Sequence, residues 1–414
     1  MDKKVRFLII TAICTFSLSS LATGQEGERP KTPAEVVVTV DRNVPEMMSR
    51  FEIGVTHVSN RWDRGHPEAV ARVIGYLGEA VRYHCQHIYG WGVDDPMPEG
   101  KGKYKWDDLD DRMKLFRRIP NAIPVLVFCG APVWMKDYNP RIRWQIEIAP
   151  RDENVPDYAE LCAKAAARYP DIKDFIVWNE FKGYWIGNKR DAQRFTVLYN
   201  AVYDSVKKVR PDALIGGPYI SSNVTDDNRD VVDYWLKNNV GAEFFTYDGW
   251  IEGWPPGTKT EEWMMENSDH FGIASSEWSK MTNLPMWITE FYGGSTDNPY
   301  FKAANHASAY LHSLKAGTRM ALLWDSPGLG HLFTRTNNPD GGMPIPHYYV
   351  VLYFNKFFGP GTQLYKAESS SKDIEVLASA EKILLINKLP RPVRVDVNEK
   401  ALTLNAYEVR LETQ

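Results

Sequence analysis

The chain has 414 residues, 43% of them hydrophobic and 25% charged, and a formal net charge of -4. That balance belongs to a folded globular protein with enough apolar residues for an extensive core, and it excludes a disordered or low-complexity chain. No block of lysine and arginine of the kind that tracks phosphates appears, so no nucleic acid partner is expected.

At the start of the chain, Lys3, Lys4 and Arg6 precede an apolar run from Phe7 to Leu18, and Ser20-Leu21-Ala22 offers small residues where a signal peptidase reads. Residues 1–22 are therefore expected to be a signal peptide, with a mature chain that is secreted or periplasmic. The bulky Ile13 before Cys14 fits poorly with a lipoprotein cleavage site. No second stretch is long enough to cross a bilayer, so no membrane insertion is expected after signal removal. Cys85, Cys129 and Cys162 remain, an odd and sparse set that is no disulfide scaffold. Cys85 and Cys129, both at predicted strand ends, are either a pair or two small buried thiols.

Beyond residue 42, short apolar runs alternate with amphipathic segments, the pattern of βα units around a parallel sheet. Strands are predicted at 51–58, 81–84, 123–129, 175–179, 213–217, 243–246, 286–289 and 320–324. Helices are predicted between them at 67–77, 106–118, 157–168, 192–209, 231–238 and 303–314, with a last one at 348–358. Eight strands in this order predict an α/β fold, a closed (β/α)8 TIM barrel over 42–358. After Gly359-Pro360-Gly361 the hydrophobic period becomes two, which predicts a small C-terminal β-sandwich over 359–414, joined by an N-terminal strand at 35–41.

Two acids stand out on this frame. Glu180 closes Asp-Phe-Ile-Val-Trp-Asn-Glu and Glu290 closes Pro-Met-Trp-Ile-Thr-Glu, each at the end of an apolar run where an ionised carboxylate is costly unless paired or used. On a barrel these are the C-terminal ends of the fourth and seventh strands, where such folds build their sites. Two facing acids are what glycosidic bond cleavage needs, one to protonate the leaving oxygen and one to attack the anomeric carbon. Trp185, shortly after Glu180, is placed either to stack on a sugar or simply to pack.

Trp178-Asn179-Glu180 and Thr289-Glu290 resemble the acid/base and nucleophile motifs of clan A glycoside hydrolases. Within that clan the chain is most similar to glycoside hydrolase family 39, the β-xylosidase and α-L-iduronidase family. Arg82-Tyr83-His84 resembles that family's strand-two motif, the segment from Tyr104 to Asp110 its opening to helix two, and Gly216-Gly217-Pro218 the end of its strand five. The resemblance implies a retaining enzyme without a cofactor or metal, with a carbohydrate substrate and a preference like that of an exo-acting β-xylosidase. It implies Glu180 as a resting protonated acid and Glu290 as an ionised nucleophile. It further implies Asn179 on the substrate 2-hydroxyl, Arg82 holding the nucleophile as carboxylate, and His84 and Trp324 lining the sugar subsite.

One stretch departs from the family. At the end of strand six, Thr246-Tyr247-Asp248-Gly249-Trp250 puts Asp248 and Trp250 where relatives carry His and Tyr, which leaves Tyr247 as the candidate hydroxyl on Glu290. Phe181 likewise replaces the proline that often follows the acid. Other readings are an endo-acting clan A glycanase, separated by the lengths of its products, and a noncatalytic carbohydrate-binding barrel, which would have to lack an essential group. A metal-dependent barrel hydrolase needs several converging His and Asp ligands; His57 alone after strand one is a poor start. His84 and His87, three apart on one strand, point to opposite faces.

Overall fold

The structure is a computed structural model that describes residues 35–58, 61–138, 145–186, 189–251, 257–294, 296–325 and 332–413. The expected signal peptide at 1–22 lies outside the described residues.

The chain begins with strand β1 (Val36–Met48) and enters a barrel through β2 (Glu52–His57), α1 (Pro67–Ala80), β3 (Tyr83–His87), α2 (Asp107–Arg118), β4 (Ile123–Phe128), α3 (Val155–Arg168) and β5 (Asp174–Val177). A two-strand hairpin, β6 (Trp185–Ile186) and β7 (Lys189–Arg190), precedes α4 (Ala192–Val209), β8 (Leu214–Ser221), α5 (Asp226–Asn238) and β9 (Phe244–Trp250). Next come α6 (Glu261–Glu266), α7 (His270–Trp278), β10 (Met286–Tyr292), α8 (Pro299–Lys315), β11 (Met320–Asp325) and α9 (Pro346–Phe357). Strands β2, β3, β4, β5, β8, β9, β10 and β11 close in that order into an eight-stranded parallel barrel, the (β/α)8 architecture expected from the sequence.

Local chemistry explains the elements. Helix α2 carries Asp107, Asp108 and Asp110 in its first turn and Arg117 and Arg118 in its last, so its charges oppose the helix dipole at both ends. Its buried Leu109, Met113 and Phe116 recur at three- and four-residue spacing and face the barrel. Asp191, Thr225 and Asn298 cap α4, α5 and α8 through their side chains. The pair α6 and α7 was not among the helices expected from the sequence; α6 is only six residues long, too short for a periodic signal. The barrel strands are buried on both faces, and each fully buried Val, Leu, Ile or Phe contributes about 1.5–3 kcal/mol by leaving water.

The remaining strands are β12 (Gln363–Ser369), β13 (Ile374–Ser379), β14 (Lys382–Asn387), β15 (Val393–Val397), β16 (Lys400–Leu404) and β17 (Val409–Thr413). They join β1 in one seven-stranded sheet ordered β16-β15-β1-β12-β13-β14-β17. Val38, Val376, Leu385 and Val395, from four of these strands, share one core separate from the barrel core. β1 runs antiparallel to β12 and parallel to β15 and is longer than the strand expected at 35–41. Ser49 anchors its exit: its backbone bonds Thr362 at 2.9 Å and its hydroxyl donates to the Phe358 carbonyl at 2.6 Å. Among the described residues, no helix is long and apolar enough to cross a membrane. Cys85, Cys129 and Cys162 are all buried free thiols, so Cys85 and Cys129 do not pair.

Candidate active site

The C-terminal mouth of the barrel gathers three carboxyl groups. Glu180 follows β5, Asp248 lies on β9 and Glu290 on β10, and one oxygen from each lies within 4.8 Å of the others. Glu290 is 4% exposed and Asp248 2%. The backbone around the first acid is unusual: Trp178, Glu180 and Phe181 have φ of 67°, 48° and 59°, a left-handed conformation that non-glycine residues seldom adopt. That turn swings Glu180 back over the mouth. Gly249, next to Asp248, has no room for a side chain, because a Cβ there would meet Ser222 Oγ at 1.9 Å.

Glu290 is held from both sides by phenols. Tyr219 donates to Oε1 at 2.7 Å and Tyr292 to Oε2 at 2.9 Å. Burial and the charge of Glu180 push the Glu290 carboxyl up to about 8, while the two phenols act against that shift by favouring the anion. Lys182 forms an ion pair with Glu180 and another with Glu147, the latter at 2.9 Å. Burial alone would raise Glu180, but the hydrogen bond with Asp248 and the Lys182 ammonium outweigh it and hold Glu180 below the usual range. The hydrogen bond with Asp248, and after it the Lys182 ammonium, thus favour the carboxylate form of Glu180, whereas the family resemblance implies a resting protonated acid. Asp248 goes the other way, pushed well up by burial and by the neighbouring charges of Glu180 and Glu290. Asn179 donates to Glu147 at 3.2 Å, and its buried Oδ1 has no protein partner.

An aromatic wall borders Glu290. The Trp324 ring lies 5.9 Å from Tyr292 and 6.0 Å from Trp91, and Trp250 lies 4.6 Å from Tyr292. His87 sits 4.1 Å from Trp91, and burial pushes its imidazole down to about 3. Trp185, on the hairpin beyond Glu180, is 49% exposed with Arg190 over its ring at 5.2 Å.

Three residues expected at the mouth are elsewhere. Arg82 precedes β3 and lies at the opposite end of the barrel, where it forms a bidentate pair with Glu52 at 2.7 and 2.6 Å and holds no nucleophile. His84 is buried against Phe116 of α2 and bonds His57 at 3.0 Å, outside the barrel. Both differences have one cause: β3 runs from Tyr83 to His87 rather than over 81–84, so the residue it delivers to the mouth is His87. Tyr247 points outward, its hydroxyl bonding Ser275 of α7 at 2.6 Å and the Phe271 carbonyl at 3.1 Å. Its place on Glu290 is taken by Tyr219, at an irregularity in the β8–β9 register between Pro218 and Ile220, with φ of 60°. Strict alternation could not foresee that re-aiming. Glu147 was also missed, although a lone acid within the apolar Ile146-Glu147-Ile148 was its signal.

The three carboxyls are close enough to chelate a cation, but the Lys182 ammonium already occupies the position against Glu180, and Glu290 is saturated by phenols that would have to give way. The donor set therefore fits acid–base chemistry better than metal binding.

Solved structures, glycoside hydrolases among them, match this chain in fold. A GH39 β-xylosidase from Caulobacter crescentus is similar at 16% identity over 87% of this chain and 83% of its own, with a TM-score of 0.58. A GH30 endoxylanase from Clostridium papyrosolvens C71 is similar at 14% identity over 89% and 97%, with a TM-score of 0.61. SrfJ from Salmonella typhimurium is similar at 12% identity over 92% and 93%, with a TM-score of 0.65. No family model matches the sequence, and no curated protein matches it.

Proposed function

We propose that the chain is a retaining glycoside hydrolase working by double displacement, with Glu290 as nucleophile and Glu180 as acid and then base. The observation that carries this reading is the approach of the two glutamates to within 4.8 Å at the barrel mouth, with Glu290 oriented by two phenols. Retaining pairs stand about 5–5.5 Å apart, whereas inverting pairs leave about 6.5–9.5 Å for a water molecule.

In the first step Glu290 attacks the anomeric carbon as the bond to the leaving oxygen breaks, and that oxygen takes a proton through Glu180. Water then attacks the glycosyl ester, giving up a proton to Glu180, and Glu290 is released as carboxylate. Asn179, with its unpartnered Oδ1, is placed for the 2-hydroxyl, and Trp324 with Trp250 supplies the apolar face a sugar ring needs.

The β-xylosidase among the similar structures, together with the sequence motifs, supports an exo-acting β-glycosidase with a β-xylosidase-like preference. The exposed Trp185 beyond Glu180 favours a second reading, an endo-acting glycanase that stacks a sugar on the leaving side. The leader pattern at 1–22 supports action outside the cytoplasm; N-terminal sequencing of exported chain is expected to begin near Thr23.

The test is a panel of aryl glycosides and plant, algal and host glycans, with proton NMR of the first product formed. Retention of anomeric configuration on at least one member is expected. Inversion, or no turnover of any member, removes the proposal, and product lengths on glycans separate exo from endo action.

A further inference from the structure

Double displacement leaves one buried group of the mouth without a chemical task. Asp248 is 2% exposed, its Oδ1 has no partner, and it stands within 4.8 Å of both glutamates. Glu180 meanwhile has the wrong neighbour for an acid, since the Lys182 ammonium in contact with it favours the carboxylate. A leaving oxygen cannot be protonated by a group that has already lost its proton.

We propose that Asp248 is a positioning residue that shares one proton with Glu180, so that the pair, rather than Glu180 alone, is the acid. This rests on the glycosidase reading above. Three carboxyls in so small a space beside one ammonium, itself divided between Glu180 and Glu147, cannot all ionise near neutrality. Lys182 stabilises the charge on Glu180, which leaves Asp248 to keep the proton that the two share. Burial and neighbouring charge push Asp248 in that direction.

The other charged group facing the pair is Arg190 from β7, and His87 from β3 stays neutral through burial. During the first step the proton passes from Asp248 to Glu180 and on to the leaving oxygen, while the glycosidic bond breaks and the bond to Glu290 forms. Glu180 and Asp248 are then both anions beside Lys182. The attacking water returns a proton to Glu180, and the pair again holds one.

The test compares pH profiles of kcat/KM for the parent and Asp248→Asn on two aryl glycosides of one sugar. Phenyl glycosides need a proton on departure and 2,4-dinitrophenyl glycosides do not. On the phenyl glycoside the alkaline limb of Asp248→Asn should move down by about one pH unit or more, with about a tenfold loss at neutral pH, while the dinitrophenyl rate changes less than about threefold. Lys182→Met should move the limb upward. An unmoved limb, or equal losses on both substrates, overturns the proposal.

A second measurement needs no turnover. Infrared spectra at pH 7, taken in an Asp174→Asn background so that the raised carboxyl of the barrel floor adds nothing, should contain a protonated-carboxyl band that shifts on 13C-aspartate labelling and disappears when Asp248→Asn is added. Persistence of that band in the variant overturns the shared proton even where the panel supports the glycosidase, and failure of the panel leaves the band to decide the proton's place.

Discussion

The two ends of the barrel use the same residue types to opposite effect. At the N-terminal end, Glu52 meets Arg82 in a two-bond pair, with Asp174 and Arg319 nearby. At the C-terminal end, Glu180, Asp248 and Glu290 share one lysine, which also serves Glu147. One end matches each acid with a base and spends its charges on stability; the other crowds its acids and turns the mismatch into shifted proton affinities. Substitutions at the mouth should therefore change turnover and leave folding intact, and substitutions at the floor should do the reverse.

The largest effect is expected for Glu290→Gln, which should stay folded, with an unchanged circular dichroism melt, and lose on the order of 10⁴-fold or more in kcat. Retained activity would remove Glu290 from its role. Next, Tyr219→Phe deletes one donor to Glu290 and should cost about 10–100-fold in kcat/KM, the value of one hydrogen bond to a charged group. Glu290 must be ionised to attack, and losing the donor raises its pKa further from about 8, so the acid limb of the profile should move to higher pH. A limb that stays in place would show that Tyr219 does not tune the nucleophile.

At the floor, burial pushes Asp174 up to about 6 from 3.8. A carboxyl raised in the folded state contributes stability below its unfolded pKa, and that contribution is lost as pH rises through the folded value. Asp174→Asn should therefore melt higher than the parent at pH 7, by at most about 3 kcal/mol, and the gap should close toward pH 4. Arg82→Ala should cost about 1–3 kcal/mol in thermal stability by leaving Glu52 buried and unpaired, with kcat/KM unchanged. A loss of turnover there would restore Arg82 to the mouth.

The barrel was legible in the sequence because eight apolar runs alternate with helical periods, and Glu180 and Glu290 were legible because buried acids at strand ends are costly. What escaped depended on position along a strand and on local irregularity. Shifting β3 by a few residues exchanged Arg82 and His84 for His87, and a disturbed register on β8 brought Tyr219 inward in place of Tyr247. Glu147 was missed as a partner of Lys182 because their contact joins loops after different strands, a proximity that no spacing encodes.

The most direct test is covalent. An activated 2-deoxy-2-fluoro aryl glycoside of the sugar that the panel selects should trap the first intermediate, and mass spectrometry of the digested protein should find the added glycosyl mass on the peptide carrying Glu290. An adduct on another residue, or steady turnover with no adduct at any time, would contradict the account.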